Sequence, residues 1–89
     1  MLVLNRRVGE TIHIGDEIVA KVVSITRNRV GIDLLVNNGH PVCLGDTRLE
    51  HSGFVRRYVC RGQAFYIGDS INLIICDKER TPSQVAIGI

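Results

Sequence analysis

Eighty-nine residues fit one compact domain or two very small units sharing a core. A chain this short buries only roughly 60–65% of its unfolded surface, so it needs added buried area from dimerisation or from packing its own parts together. The composition is 45% hydrophobic with a net charge of +2, which suits a globular core and lacks the strong basic stripe of a duplex-binding domain.

Leu2-Val3-Leu4 opens a short strand running into Asn5-Arg6-Arg7, and Val8-Gly9-Glu10 reads as a connection. Thr11-Ile12-His13-Ile14 alternates polar with apolar, the period-two signature of a half-buried strand. Gly15-Asp16 is a hairpin signal, with Gly first as a type II′ turn requires. Ile18 to Thr26 is a β-branched strand with Lys21 and Ser24 outward, and Arg27-Asn28 turns the chain. Val30 to Val36 supplies a further strand before the Asn37-Asn38-Gly39 turn. Val42-Cys43-Leu44 reads as a short edge strand. Asp46 is placed to cap a short helical turn over 47–52. Phe54 to Cys60 is expected to be extended, followed by Ala64–Ile67, a Gly68-Asp69 turn and Ile71–Cys76. A charged turn over Asp77–Ser83 and a last strand from Gln84 to Ile89 complete the series. Phe65 and Tyr66, on successive strand positions, face opposite ways, one into the core and the other outward as a stacking surface.

The chain repeats itself. Ile14-Gly15-Asp16 recurs as Ile67-Gly68-Asp69, 53 residues further on. At the same offset Gly9 falls on Gly62, Ile18 on Ile71 and Arg27 on Arg80; after two extra residues around Pro82, Val30 and Ile32 fall on Val85 and Ile87. Such self-similarity means one supersecondary unit used twice, here with the second copy cut short. The expected division is residues 1–53, a unit of five strands and the short helical turn, and residues 54–89, a truncated second unit of about four strands. The two are expected to pack together as one compact domain.

No apolar run approaches the ~18–20 residues of a membrane span. Arg6 and Arg7 arrive early with no long apolar region behind them, which argues against a signal peptide. Three cysteines, Cys43, Cys60 and Cys76, without a secretory signal indicate reduced thiols in a cytoplasmic protein, with Cys76 as a small core residue. No nucleophile motif surrounds any serine, and no glycine pattern makes a nucleotide loop. His40 and Cys43 have an HxxC spacing but lack a second pair to complete a zinc site. A non-enzymatic protein without metal or cofactor is expected.

The stretch from Met1 to Glu17, with the pattern LxLxRRxGExxxIGDxI through Ile18, closely resembles the carbon storage regulator family (CsrA, also called RsmA). The similarity runs without gaps to about Val36 and resumes, after a two-residue insertion, across Val42 to Leu49. The resemblance implies an all-β, CsrA-like fold of small interlocked sheets. In that family each subunit has five strands and a C-terminal helix, and the first and fifth strands of one subunit extend the sheet formed by strands two to four of the other. It implies a post-transcriptional, translational regulator of mRNA that recognises single-stranded GGA-containing loops. The RNA site joins the first strand of one subunit to the fifth strand of its partner.

Carried onto this chain, Leu4 would supply backbone contacts and Asn5, Arg6 and Arg7 the adjoining anchors, with Val42, Cys43, Leu44, Asp46 and Arg48 as the second edge. Unpaired bases suit such edges, because their hydrogen-bonding faces are free, and arginines fix the phosphates. The chain departs from the family where its fifth strand ends. A Val-His-Arg-Glu-Glu-Ile pattern is replaced by Leu44-Gly45-Asp46-Thr47-Arg48-Leu49, placing Asp46 where a principal arginine contact belongs. Aspartate cannot donate and repels phosphate. This departure and the missing second fifth strand give the alternative reading, a protein-interaction or antagonist member with weakened RNA binding. Such a member would self-associate or pair with an ordinary CsrA-family protein. The partners implied are therefore mRNA or a small regulatory RNA, or another protein of the family, with no membrane.

Overall fold

The computed structural model describes residues 1–76 and 83–89, so the charged turn expected over Asp77–Ser83 lies, but for Ser83, outside the described residues. Among the described residues ten strands follow in order: β1 (Val3–Arg7), β2 (Thr11–Ile14), β3 (Ile18–Ile25), β4 (Val30–Val36), β5 (Val42–Leu44), β6 (Thr47–Leu49), β7 (Phe54–Val59), β8 (Ala64–Ile67), β9 (Ile71–Ile75) and β10 (Gln84–Gly88). They form a six-stranded sheet, β1-β10-β9-β8-β5-β6, and a four-stranded sheet, β2-β3-β4-β7. Every pairing is antiparallel.

Neither sheet is made by one half of the chain. β1 leaves its sequence neighbours to lie along β10, with Leu4 opposite Ile87, while β7 lies along β4, with Val55 opposite Leu34. The two sheets enclose one core, in which Ile12, Ile18, Val22, Ile32 and Leu34 of the smaller sheet meet Val42, Phe65, Ile67, Leu73, Ile75 and Ile87 of the larger. Alternation puts these residues inward because successive side chains of a strand point to opposite faces. Phe65 is fully buried and its neighbour Tyr66 is exposed.

The offset of 53 reappears in the hydrogen bonds. Gly9 N–H donates to Val22 O and Val22 N–H to Glu10 O; Gly62 N–H donates to Ile75 O and Ile75 N–H to Gln63 O. Arg7 N–H is capped by the Glu10 carboxylate at 2.7 Å and Cys60 N–H by the Gln63 amide oxygen at 2.8 Å. Glutamine replaces glutamate because the role requires only an acceptor oxygen.

Several expectations change. No helical turn forms over 47–52. Gly45, with φ of 59°, and Asp46 reverse the chain in two residues, and Thr47–Leu49 returns along β5 with Leu49 opposite Val42. Positive φ costs glycine nothing, and the turn carries Leu49 into the core, which a helix beginning at Asp46 would not do. β5 is consequently no edge strand: β8 flanks one side and β6 the other. The Gly15 and Gly68 hairpins have three-residue loops, since Ile14 pairs with Ile18 and Ile67 with Ile71, so the two-residue type II′ geometry is not adopted. Cys76 lies just past β9 and is half-buried, outside the core cluster. Lys21 is exposed as expected, but a bulge between Val22 and Ser24 leaves Ser24 only half-exposed.

Candidate functional site

β1 ends the larger sheet, so only one side of its backbone is paired. Leu2 and Ile89 exchange both main-chain hydrogen bonds. The alternation of an antiparallel ladder then points the N–H and C=O of Leu4 and Arg6 at β10, and those of Val3 and Asn5 outward. Leu4 itself is half-buried against the core. Its main chain is committed to the sheet, and Val3, which sequence reasoning missed, presents the free backbone instead. Strand register, unreadable without knowing the partner of β1, decided this.

Arg6 and Arg7 follow on the same edge. Arg6 Nε donates to Thr11 O at 3.1 Å, and its Nη1 to Asn5 O at 2.8 Å. Arg7 is exposed. Among the described residues neither guanidinium has a carboxylate partner, since the ion pairs there are Arg56–Asp33 and His40–Glu17. Both charges are therefore available to an anionic ligand.

The remaining expected residues lie elsewhere. Val42 is buried, Cys43 and Leu44 are half-buried, and Asp46 and Arg48 are exposed around the β5–β6 turn. Between β1 and β5 stand β10, β9 and β8; at ~4.8 Å per strand the separation is roughly 19 Å. Leu4–Arg7 and Val42–Asp46 of one chain thus do not meet. β6 ends the larger sheet, and Glu50–Gly53 connects it in sequence to β7. That connection is held by His51, which accepts from Gly53 N–H at 3.0 Å and contacts His40 O at 2.9 Å. His40 and Asn38 both reach the carboxylate of Glu17.

β7 ends the smaller sheet as β1 ends the larger. Its cations are placed differently, because the positions equivalent to Arg6 and Arg7 are Val59 and Cys60. Arg56 is held in a bidentate pair by Asp33, at 2.6 and 2.8 Å. The hydrogen bond from Arg56 outweighs burial and holds the Asp33 carboxyl below its ordinary value, aided by the charges of Arg56 and Lys21; the same bond raises the pKa of Arg56. Arg29 reaches Tyr58 O at 3.4 Å and Arg57 the carbonyl of Arg56 at 2.8 Å. Among the described residues no three His, Cys, Asp or Glu side chains converge to hold a metal ion, and no helix is long and apolar enough to cross a membrane.

Residues 1–42 match the profile of CsrA, described as a global regulator protein family. This segment is similar to the CsrA family. It comprises β1 to β4 and reaches the first residue of β5, so the CsrA match contains the whole Val3–Arg7 edge. The chain is also similar to a translational regulator CsrA of Desulforapulum autotrophicum (strain ATCC 43914 / DSM 3382 / VKM B-1955 / HRM2), 56% identical over 34 residues. That stretch covers 38% of this chain and 42% of the CsrA relative, under half of each. No solved structure matches the chain significantly.

Proposed function

We propose that the protein is a cytoplasmic, non-enzymatic post-transcriptional regulator that binds single-stranded, GGA-containing loops of mRNA or of a small regulatory RNA. The observation that carries this reading is the β1 edge. There the outward main-chain groups of Val3 and the outward N–H of Asn5 lie beside two arginines without carboxylate partners among the described residues, inside the segment that matches the CsrA family. Main-chain groups at an open edge suit the faces of unpaired bases, and Arg6 and Arg7 suit the phosphates that fix register. Residues 1–53 are read as a full family unit and 54–89 as a truncated copy, the two exchanging first strands within one chain.

The site is then one-sided. Among the described residues β1 has β10 alone as its ladder neighbour, and no counterpart of the family's fifth strand lies beside it. Asp46, at the tip of the β5–β6 turn, supplies no cation. A second reading therefore stands beside the first: a member with weakened RNA affinity that acts through protein contacts, including pairing with an ordinary family member. Gel-shift titration with a GGA hairpin decides between them. Saturable binding that weakens steeply with salt, and is lost in Arg7→Ala, is expected. No shift at low salt would reject the RNA reading.

A further inference from the structure

The outer face of the smaller sheet carries two aromatic rings that the core does not use. Phe54 and Tyr58 project from the same side of β7, since they lie an even number of positions apart on a strand. They are 49% and 53% exposed. Arg56 stands between them, its guanidinium 5.9 Å from the centre of the Phe54 ring and held by Asp33 on the next strand. Gly31, opposite Tyr58, leaves room for that ring on the sheet surface, where an added methyl would stand 2.9 Å from Tyr58 Cε1. At the offset of 53, Phe54, Arg56 and Tyr58 replace Met1, Val3 and Asn5. The three residues thus belong to the second half and lie outside the segment that matches the CsrA family. The edge of β7 is less open than its face. Val36 N–H donates to Gly53 O, so ladder alternation turns the main chain of Val55, Arg57 and Val59 toward β4 and that of Arg56 and Tyr58 outward. Those two outward carbonyls already accept from the side chains of Arg57 and Arg29, at 2.8 and 3.4 Å.

We infer that this face is a second RNA surface, on which the bases of unpaired nucleotides stack against Phe54 and Tyr58. RNA as the ligand rests on the proposed regulator function; the stacking chemistry does not. Every base has a π face, so rings on an open sheet hold unpaired nucleotides without reading their sequence. Four strand positions set the two rings roughly 13 Å apart, and the planar guanidinium of Arg56 between them offers a third flat surface. The charge balance suits a polyphosphate. Asp33 is the only carboxylate in β2, β3, β4 and β7 and is paired with Arg56. Lys21, opposite Asp33, adds a cation to the face, and Arg29 adds another at its border.

The surface also lies within reach of the β1 edge. Arg6 touches Thr11 of β2, and β3 and β4 stand between β2 and β7, a separation of roughly 14 Å. At the ~3.4 Å rise of a stacked strand, about four nucleotides beyond an RNA seated on β1 reach Phe54 and Tyr58. Two linked contacts then act as one tighter site.

The test uses the full chain and a fluorescently labelled RNA of about twelve nucleotides, made only of A and C so that it contains no GGA. Saturable anisotropy at low salt is expected. Phe54→Ala and Tyr58→Ala should each weaken binding about fivefold or more, the loss of one stacked base. Tyr58→Phe should stay within about twofold of the parent, because the ring remains. Tyr58→Leu should bind as poorly as Tyr58→Ala, since it keeps an apolar side chain but no π face. Circular dichroism checks that each variant keeps its fold. Arg7→Ala should leave the affinity for this RNA within about twofold while weakening that for a GGA hairpin, so failure here is distinct from failure of the GGA reading. Absence of saturable binding, parental affinity in Tyr58→Leu, or equal losses in Arg7→Ala and Tyr58→Ala would each overturn the inference.

Discussion

Arg6 stands in for a missing strand at Thr11. Its Nε lies 3.1 Å from the Thr11 carbonyl, while the equivalent carbonyl, that of Ala64, takes the amide of Gly45 at 3.0 Å. A long cationic side chain thus satisfies a backbone acceptor that a neighbouring strand satisfies in the other half of the molecule. The two arginines of the β1 edge consequently differ in kind: Arg6 is partly committed to the fold, and Arg7 is not.

That difference is measurable. Arg6→Ala should lower stability in urea by about 1 kcal/mol, the usual net worth of a hydrogen bond, and also weaken RNA binding. Arg7→Ala should weaken RNA binding and flatten its salt dependence while leaving the urea midpoint within about 0.5 kcal/mol of the parent. Equal stability losses in both variants would contradict the assignment.

The pair between Asp33 and Arg56 sets a pH dependence. The folded carboxyl titrates below its ordinary value of 3.8, so the native state binds its proton less readily than the unfolded chain does. Stability from this pair is present above that value and disappears as pH falls through the lower, folded one. Asp33→Asn should therefore show a shallower fall in urea midpoint between about pH 5 and about pH 2 than the parent. An unchanged slope would show that the carboxyl titrates normally.

Two glycines are required for opposite reasons. At Gly31 an added methyl would lie 2.6 Å from Ser24 Oγ and 2.9 Å from Tyr58 Cε1, because the Tyr58 ring lies across the strand from Gly31. At Gly45 an added methyl meets nothing within 4 Å, but φ is 59°. Gly31→Ala should cost about 1–3 kcal/mol through overpacking, and removing the ring with Tyr58→Ala should recover part of it. Gly45→Ala should cost about 1–2 kcal/mol through backbone strain alone, with no rescue by a neighbouring truncation. Thermal denaturation of the three single variants and of the Gly31→Ala, Tyr58→Ala double variant checks both.

Phe65 and Tyr66 test the facing of β8. Phe65→Ala should destabilise by about 3–5 kcal/mol, since the ring is fully buried and leaves a cavity. Tyr66→Ala, on the exposed face, should stay within about 0.5–1 kcal/mol. Comparable losses would place the strand the other way up.

Much of the fold was legible because strand formation is local. The alternation through Thr11–Ile14, the β-branched run from Ile18 and the asparagine turn before His40 carry their own signals, and the opposite facing of Phe65 and Tyr66 follows from period two. Pairing is not local, and the errors gather there. Thr47–Leu49 is compatible with a helical turn until Val42 is known to lie opposite Leu49, and Asp46 makes an equally good turn residue or helix cap. At the candidate site, Arg6 and Arg7 could be named from the pattern around them. Which main-chain groups point outward depended on β10, more than seventy residues away in sequence, so Val3 gave no signal. The separation of β5 from β1 likewise depends on three intervening strands contributed by the second half.

Joining β1 to β10 means that Leu4 waits for Ile87 to be synthesised before it has a ladder neighbour. Folding is therefore governed by closure of a loop of more than seventy residues, a costly and slow step. A ribosome-bound chain short of Gln84 must hold Leu2, Val3 and Leu4 unpaired. Deleting β10 should accordingly release the N-terminal segment, because among the described residues β10 is the only ladder neighbour of β1.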